Sequence, residues 1–228
     1  TATYAGDTNF NSSPASASAS HTVNKADTTT TISSDNPDPS VTGQTVTFNV
    51  TVAAIAPGAA GAPTTITGNV LVSDGGTNSC NVTLTAGAGS CTITFPGAGP
   101  YSMTGAYGGD ANFNGSTSAA NSHTVNPANT TTTITSDNPD PSSVGQAVTV
   151  NFTVAPVAPG AGTPTGNITV SDGVDSCIGT VAAGTCNITL TTPGARTLTA
   201  TYPGDGNFNS SSSAGELSST SPSIRGCG

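Results

Sequence analysis

The chain repeats one stretch of about 100 residues, and this repetition constrains its fold more than any other feature. Residues 28–52 (TTTTISSDNPDPSVTGQTVTFNVTV) return as residues 130–154 (TTTTITSDNPDPSSVGQAVTVNFTV). His21 and His123 hold matching positions, 102 residues apart. This period is too long for a solenoid repeat and suits a complete small domain. We therefore expect an array of similar domains, an architecture that usually serves reach, spacing or adhesion.

The repeat divides the chain into three segments. We expect the tail of one unit at 1–27, a full unit at 28–129, and a second unit at 130–228 whose end is irregular from about residue 214. Residues 1–27 contain two predicted strands, TATYAGD and SASASHTVN, whose own sandwich is not in this chain. Two explanations stay open. The segment belongs to an upstream unit of a longer chain, or it donates strands to a neighbouring copy.

Charge and hydropathy exclude two classes of function. Charged residues make up only 7% of the chain, and the net charge is −9. Three cationic side chains cannot neutralise a phosphate backbone, so nucleic acid is excluded as a partner. No apolar run approaches the roughly 20 residues of a membrane-spanning helix, so no membrane span is expected in this segment.

Alternation of apolar and polar residues predicts strands throughout both units. In GQTVTFNVTV, the side chains of Val46, Phe48, Val50 and Val52 fall on one face, and the second unit repeats the pattern. Clusters of Gly, Pro, Asn and Asp separate such segments and favour turns. No helical apolar period of useful length is present. The predicted fold class is therefore all-β, with tandem antiparallel sandwiches of about seven strands each.

Two cysteine pairs occupy matching positions, Cys80 with Cys91 and Cys177 with Cys186. Disulfides are favoured over metal or redox sites, because no CxxC motif is present and two cysteines cannot complete a tetrahedral zinc shell. A regular hairpin turning at residues 86–89 would place Cys80 diagonal to Cys91, so a bulge or wider loop is expected. Paired cysteines indicate an oxidising, extracellular compartment. We expect the unpaired Cys227 to lie in a disordered tail.

Three motifs carry a resemblance to a known family. Each unit opens with NPDPSxxGQxVT, has a central GNVLVSDG or GNITVSDG, and closes with AYGGDANFNGSTS or TYPGDGNFNSSSS. This combination resembles the Ig-like repeats of large bacterial cell-surface proteins and adhesins, and it covers almost the whole chain. The resemblance implies seven-stranded Ig-type sandwiches, a structural or adhesive role and no catalytic residues. The last unit departs from the pattern, because Thr220 stands where the first unit has Val125.

Histidines and turn aspartates are the remaining candidates for chemistry. His21 and His123 follow the repeat and belong to separate units, so we expect exposed positions in final strands rather than one catalytic site. The aspartates suit turn geometry, although carboxylates facing each other at a junction between units could hold calcium. No catalytic, cofactor-binding or metal residue is predicted, and no cofactor. The turn aspartates are Asp7, Asp110 and Asp205 in GDxNF, and Asp35, Asp38, Asp137 and Asp140 in DNPDP.

These features predict a structural, non-enzymatic protein of the bacterial cell surface: a stalk, sheath or filament subunit. Its expected partners are copies of itself or neighbouring repeats of the same long chain, in a head-to-tail polymer. The alternative is an adhesin-type module that recognises a glycan or protein through its end loops. Glycan platforms use exposed aromatics, whereas Tyr4, Tyr107 and Tyr202 are expected as core or corner residues. A third reading, an accessory region of an enzyme, requires a catalytic domain elsewhere.

Overall fold

The structure, a computed structural model, describes residues 1–58 and 65–221. Its regular elements in these ranges are all β-strands, which confirms the predicted fold class. β-branched residues dominate them because their side chains pack well on a pleated surface. The first unit contains β1 (Thr28–Asn36), β2 (Ser40–Val41), β3 (Thr45–Ala54), β4 (Asn69–Ser73), β5 (Ser79–Thr83), β6 (Ala88–Thr94), β7 (Gly99–Tyr107), β8 (Ser116–Thr117) and β9 (Asn121–Asn126).

The second unit repeats this order of elements. Each unit has seven strands of five residues or more, together with two strands of two residues. The second set is β10 (Thr130–Asn138), β11 (Ser142–Ser143), β12 (Ala147–Pro156), β13 (Asn167–Ser171), β14 (Ser176–Thr180), β15 (Thr185–Thr189), β16 (Gly194–Tyr202), β17 (Ser211–Ser212) and β18 (Glu216–Ser221).

Two sheets form each sandwich. In the first unit, one sheet has the order β1-β3-β6 and the other β2-β9-β7-β4-β5, with the short β8 added beside β7. The second unit repeats both orders as β10-β12-β15 and β11-β18-β16-β13-β14. Even an irregularity of register is repeated, between Ile32 and Ser34 and between Ile134 and Ser136.

The cores lie between the sheets and follow the predicted alternation. Val46, Phe48, Val50 and Val52 are all at most 4% exposed. Facing strands add further aliphatic residues and a few aromatics, of which Phe95 is fully buried. The second core is built in the same way, with Phe152, Tyr202 and Phe208 as its buried aromatics. Each buried Val or Phe contributes about 1.5–3 kcal/mol, so a core with few aromatics is built from many modest contributions.

Both ends of the chain differ from the sequence prediction. Residues 1–25 form no strand, although two were predicted, because a strand needs a neighbour to complete its hydrogen-bond ladder. The irregular tail predicted from about residue 214 is wrong for Glu216–Ser221, which form β18 against β16 and β11. The prediction for Cys227 lies outside the described residues.

Candidate functional site

The two predicted disulfides are present and join the two sheets of each sandwich. The Cα atoms are 6.0 Å apart in Cys80–Cys91 and 5.9 Å apart in Cys177–Cys186. The prediction of a hairpin between the two cysteines of each pair is wrong. The chain does turn at Ala86–Gly87, but β5 pairs with β4 while β6 pairs with β3, so the flanking strands belong to opposite sheets. Because β5 and β6 are both edge strands, each bond closes one lateral side of the sandwich.

His123 is buried at the centre of the first unit, so the prediction of an exposed histidine is wrong for this residue. Its ring is 0% exposed and stacks on Phe95, with 5.0 Å between centroids. Its Nδ1 atom lies 2.9 Å from Oδ2 of Asp35, and Nε2 lies 2.9 Å from Oγ of Ser40. A carboxylate only accepts, so Nδ1 donates to Asp35, and Nε2 shares the second hydrogen bond with the Ser40 hydroxyl. The exposure predicted for His21 is confirmed.

This Ser40–His123–Asp35 arrangement has the connectivity of a hydrolase triad, but it serves the core. A nucleophilic serine has to meet a substrate carbonyl, and Ser40 is only 1% exposed. The network instead satisfies a polar ring that burial would otherwise penalise. The nearby Asp38 also holds the final strand β9 in place, because its Oδ1 accepts a hydrogen bond from the backbone N–H of Thr124 at 3.1 Å.

The second unit keeps two members of this network and lacks the histidine. The register places Ser142 at the position of Ser40, and Ser218 at that of His123. Within the described part of the chain, the buried Oγ atoms of Ser142 and Ser218 and Oδ2 of Asp137 have no hydrogen-bond partner. A serine side chain is too short to bridge the gap that the imidazole spans. Sequence reasoning missed this difference, although the change from His to Ser was visible.

The aspartates of the GDxNF turns act as turn caps, as predicted. Oδ1 of Asp110 accepts from the N–H groups of Asn112 and Phe113, at 2.8 and 2.9 Å. Asp205 repeats both contacts in the second unit. At Gly109 the backbone has φ of +84°, and a Cβ there would meet the Phe113 carbonyl oxygen at 2.8 Å, so the turn needs glycine.

The pKa values of the ionisable side chains in these turns follow from their contacts. Partial burial alone would raise the pKa of Asp110, but three backbone N–H donors outweigh it and hold the pKa below its usual value. Partial burial acts in the same direction on Asp205, but hydrogen bonds from the N–H of Asn207 and from the hydroxyl and N–H of Thr165 outweigh it and lower the pKa. Burial and the adjacent carboxylates raise the pKa values of Tyr107 and Tyr202 to about 12. Both tyrosines are core residues as predicted, whereas Tyr4 is 45% exposed.

Each turn also binds the linker that enters its own unit. Ala26 donates its N–H to the carbonyl of Asn112, at 3.0 Å, and its carbonyl accepts from Asn114 at 2.8 Å. Ala128 makes the matching pair with Asn207 and Asn209 in the second unit, at 2.9 and 2.8 Å. The linker is therefore part of the folded unit and not a free tether.

Direct contacts join the first unit to the second. Oδ1 of Asn207 accepts from the N–H of Ala98, at 2.9 Å. The N–H of Ala161 donates to the Thr42 carbonyl at 3.1 Å. Gly43 packs against the same segment, and a Cβ there would meet the Ala161 carbonyl oxygen at 2.2 Å. Two backbone segments thus approach at a place that only glycine permits.

Carboxylates do not gather at this junction in the described structure. The group with metal-ligand spacing is Asp35, Asp38 and His123, which lies inside the first unit. Asp35 belongs to β1 and bonds the histidine, so its predicted role as a turn cap is wrong. Asp205 contacts its own turn and Thr165. The geometry that was expected for calcium at the junction is therefore not formed.

One cleft in the second unit has a mainly apolar lining. It encloses about 580 Å³ between β12 and the loop before β13, and Phe152, Pro164 and Val181 line it.

No helix in the described residues is long and apolar enough to cross a membrane.

Comparison with known families gives a specific match in both units. Residues 32–126 and 134–220 each match the family described as bacterial Ig-like domain (group 3). The chain belongs to this family. Its two copies coincide with the two sandwiches, and the family is one of Ig-like domains in bacterial surface adhesin-like proteins. Ig-like domains of this kind are non-enzymatic modules. No curated protein matches the chain in sequence.

Solved structures also match the chain, at low sequence identity. The adhesin InvE of Yersinia pseudotuberculosis is 16% identical, with 84% of this chain and 58% of that chain covered and a TM-score of 0.43. The Escherichia coli adhesin FdeC is 14% identical, with 85% and 64% covered and a TM-score of 0.31. Fibronectin(III)-like modules of Clostridium thermocellum CbhA are 13% identical, with 85% and 92% covered and a TM-score of 0.30.

Proposed function

We propose that this chain is a structural segment of an extracellular bacterial surface protein, in which tandem Ig-like sandwiches act as a stalk, sheath or filament subunit. The observation that carries the proposal is the junction. The second unit contacts the first through Asn207 and Ala161, and its linker residue Ala128 is hydrogen-bonded into the second sandwich. A spacer needs connections that limit the rotation of successive units, and a short linker with direct contacts across the junction supports that role.

Two further features support an extracellular role. Cross-sheet disulfides form and persist in oxidising compartments, and they stabilise domains that have few large core residues. The surface is also unusual for an intracellular protein, because hydroxyl and amide groups replace most charges. Only 7% of residues are charged, against about 25% in typical globular proteins.

Small-angle scattering on the chain and on Asn207→Ala tests the proposal. We expect the unmodified chain to be elongated with a narrow range of lengths, and the variant to sample a wider range because one junction contact is lost. Asn112→Ala is the matched control, since it changes the same repeat position in the first unit and leaves this junction intact. A compact particle, or one equally variable with and without Asn207, would contradict a spacer role.

A binding role is the second candidate, and the apolar cleft beside Phe152 favours it. Such a cleft could accept an apolar side chain of a protein ligand. Val181→Asp would place a charge in its wall. A binding module should lose retention on its target surface with this substitution, whereas a spacer should be unaffected.

A further inference from the structure

The last strand of the second unit fits its place poorly. β18 lies between β11 and β16, as β9 lies between β2 and β7 in the first unit. Successive residues of a strand face opposite sides, and β9 buries His123 and Val125. β18 instead buries Ser218 and exposes 68% of Leu217. Its apolar and polar positions are therefore inverted relative to the sheet that it completes.

The site around β18 also contains buried polar atoms that lack a hydrogen-bond partner within the described residues. Oγ of Ser142, Oγ of Ser218 and Oδ2 of Asp137 are buried and unpaired within the described residues, and both serines are at most 2% exposed. Buried polar groups in folded proteins are nearly always hydrogen-bonded. In the first unit the same positions are satisfied by one imidazole, which bridges Asp35 and Ser40.

A segment that carries this imidazole is present elsewhere in the chain. Residues 18–26 (SASHTVNKA) match residues 120–128 (ANSHTVNPA), which contain β9, at six of nine positions. His21 and Val23 correspond to the buried His123 and Val125, yet both are exposed, Val23 by 84%. The segment has no strand partner within the described chain apart from the bridge of Ala26 to Phe113.

The following inference rests on the proposed array of units. We propose that residues 18–26 of one copy replace β18 in the second unit of another copy. His21 would take the position of Ser218, where its two ring nitrogens reach the oxygens of Asp137 and Ser142. Val23 would take the position of Thr220. The N–H of Thr22 would donate to Asp140, as the N–H of Ser219 does now at 2.7 Å.

The occupant is a second copy because the segment cannot reach its own second unit. Ala26 is bonded to the turn that follows β7, whereas the junction with the second unit lies at the start of β7, beside Ala98. The nine residues of β7 span about 30 Å. Five residues, from Ala26 back to His21, span at most about 18 Å. Donation from one end to the other of the next copy gives a head-to-tail contact that does not close, and hence a filament.

Cysteine crosslinking in the full chain tests the register. In the first unit Thr124 pairs with Pro100, and in the second unit Ser219 pairs with Ala195. A chain with Cys227→Ser, Thr22→Cys and Ala195→Cys should therefore form intermolecular disulfides under mild oxidation. The matched control replaces Ala195→Cys by Pro100→Cys, because β9 already occupies that place. We expect at least tenfold more covalent oligomer than in the control and in each single-cysteine chain.

A repaired variant provides the decisive comparison. Ser218→His and Thr220→Val give β18 the inward residues of β9, and Leu217→Ser gives it the outward serine of β9. This change should raise the unfolding midpoint of the second unit and reduce the crosslink to the level of the control. A crosslink that survives the repair, or one no stronger than that of the Pro100→Cys chain, would overturn strand exchange. Scattering on the monomer separates the two proposals, since an elongated, narrow particle without crosslinks would leave the spacer role standing alone.

Discussion

Nδ1 of His123 lies 2.9 Å from Oδ2 of Asp35, and this buried pair joins the first strand of a sandwich to its last. The two residues are 88 positions apart in the chain. Their contact places a polar bridge inside the core, so the final strand is fixed in one register. The equivalent strand of the second unit has no such bridge. The two sandwiches therefore share a fold but differ in how firmly they hold their last strand.

Removing the imidazole should weaken the first unit selectively. His123→Ala leaves the Asp35 carboxylate and the Ser40 hydroxyl buried without their partner and opens a cavity beside Phe95. We expect the free energy of unfolding of this unit to fall by about 3 kcal/mol. Hydrogen exchange of the amides of β7 and β9 would measure the loss. His21→Ala is the control, because the same change at an exposed ring should leave monomer stability unaltered.

Breaking one disulfide should affect one unit. Replacing Cys177 and Cys186 together by serine releases a small loop, which in the chain-entropy description lowers stability by about 2–3 kcal/mol. Denaturation followed in each unit separately should show the loss in the second sandwich and an unchanged first sandwich. Equal destabilisation of both would mean that the units unfold as one cooperative body.

Acid should destabilise both units through the turn aspartates. The folded pKa values of Asp110 and Asp205 are below the usual value of 3.8, so their contribution is complete above that pH and is lost as the pH falls through the folded values. Thermal melts from pH 7 to pH 2.5 should show a decline below about pH 4. Asp205→Asn should lower stability by about 1 kcal/mol at pH 7 and flatten the decline. Glu216→Gln, at an exposed carboxyl outside the turns, should preserve it.

Chelation should leave the melting temperature unchanged. Asp110 and Asp205 accept from backbone N–H groups, and those donors would repel a cation at the same oxygen. Asp35 is held by His123. Calorimetry with calcium and with a chelator would measure the difference. A fall in melting temperature on chelation would show that calcium binds despite these contacts.

Local pattern was sufficient to predict most strands of the two sandwiches, their cores and the pairing of cysteines. Alternation at Val46–Val52 is a property of neighbouring residues, and it survives in the fold. The position of His123 was missed, although a signal existed: it lies two residues before Val125 and therefore on the same buried face. Its partner Asp35 is far away in sequence, so no local pattern reveals the bond. The assignment of β5 and β6 to opposite sheets is likewise a property of the whole topology.

The position of the disulfides makes local opening of each sandwich asymmetric. Cys177–Cys186 ties β14 to β15 at one lateral side, whereas β18 lies near the opposite side, next to the two-residue strand β11. Thermal fluctuations that part the sheets are thus restricted at the tied side and concentrated at the other. We therefore expect the last strand of the second unit to detach while most of the sandwich keeps its native packing. Exchange of this strand would then not require global unfolding.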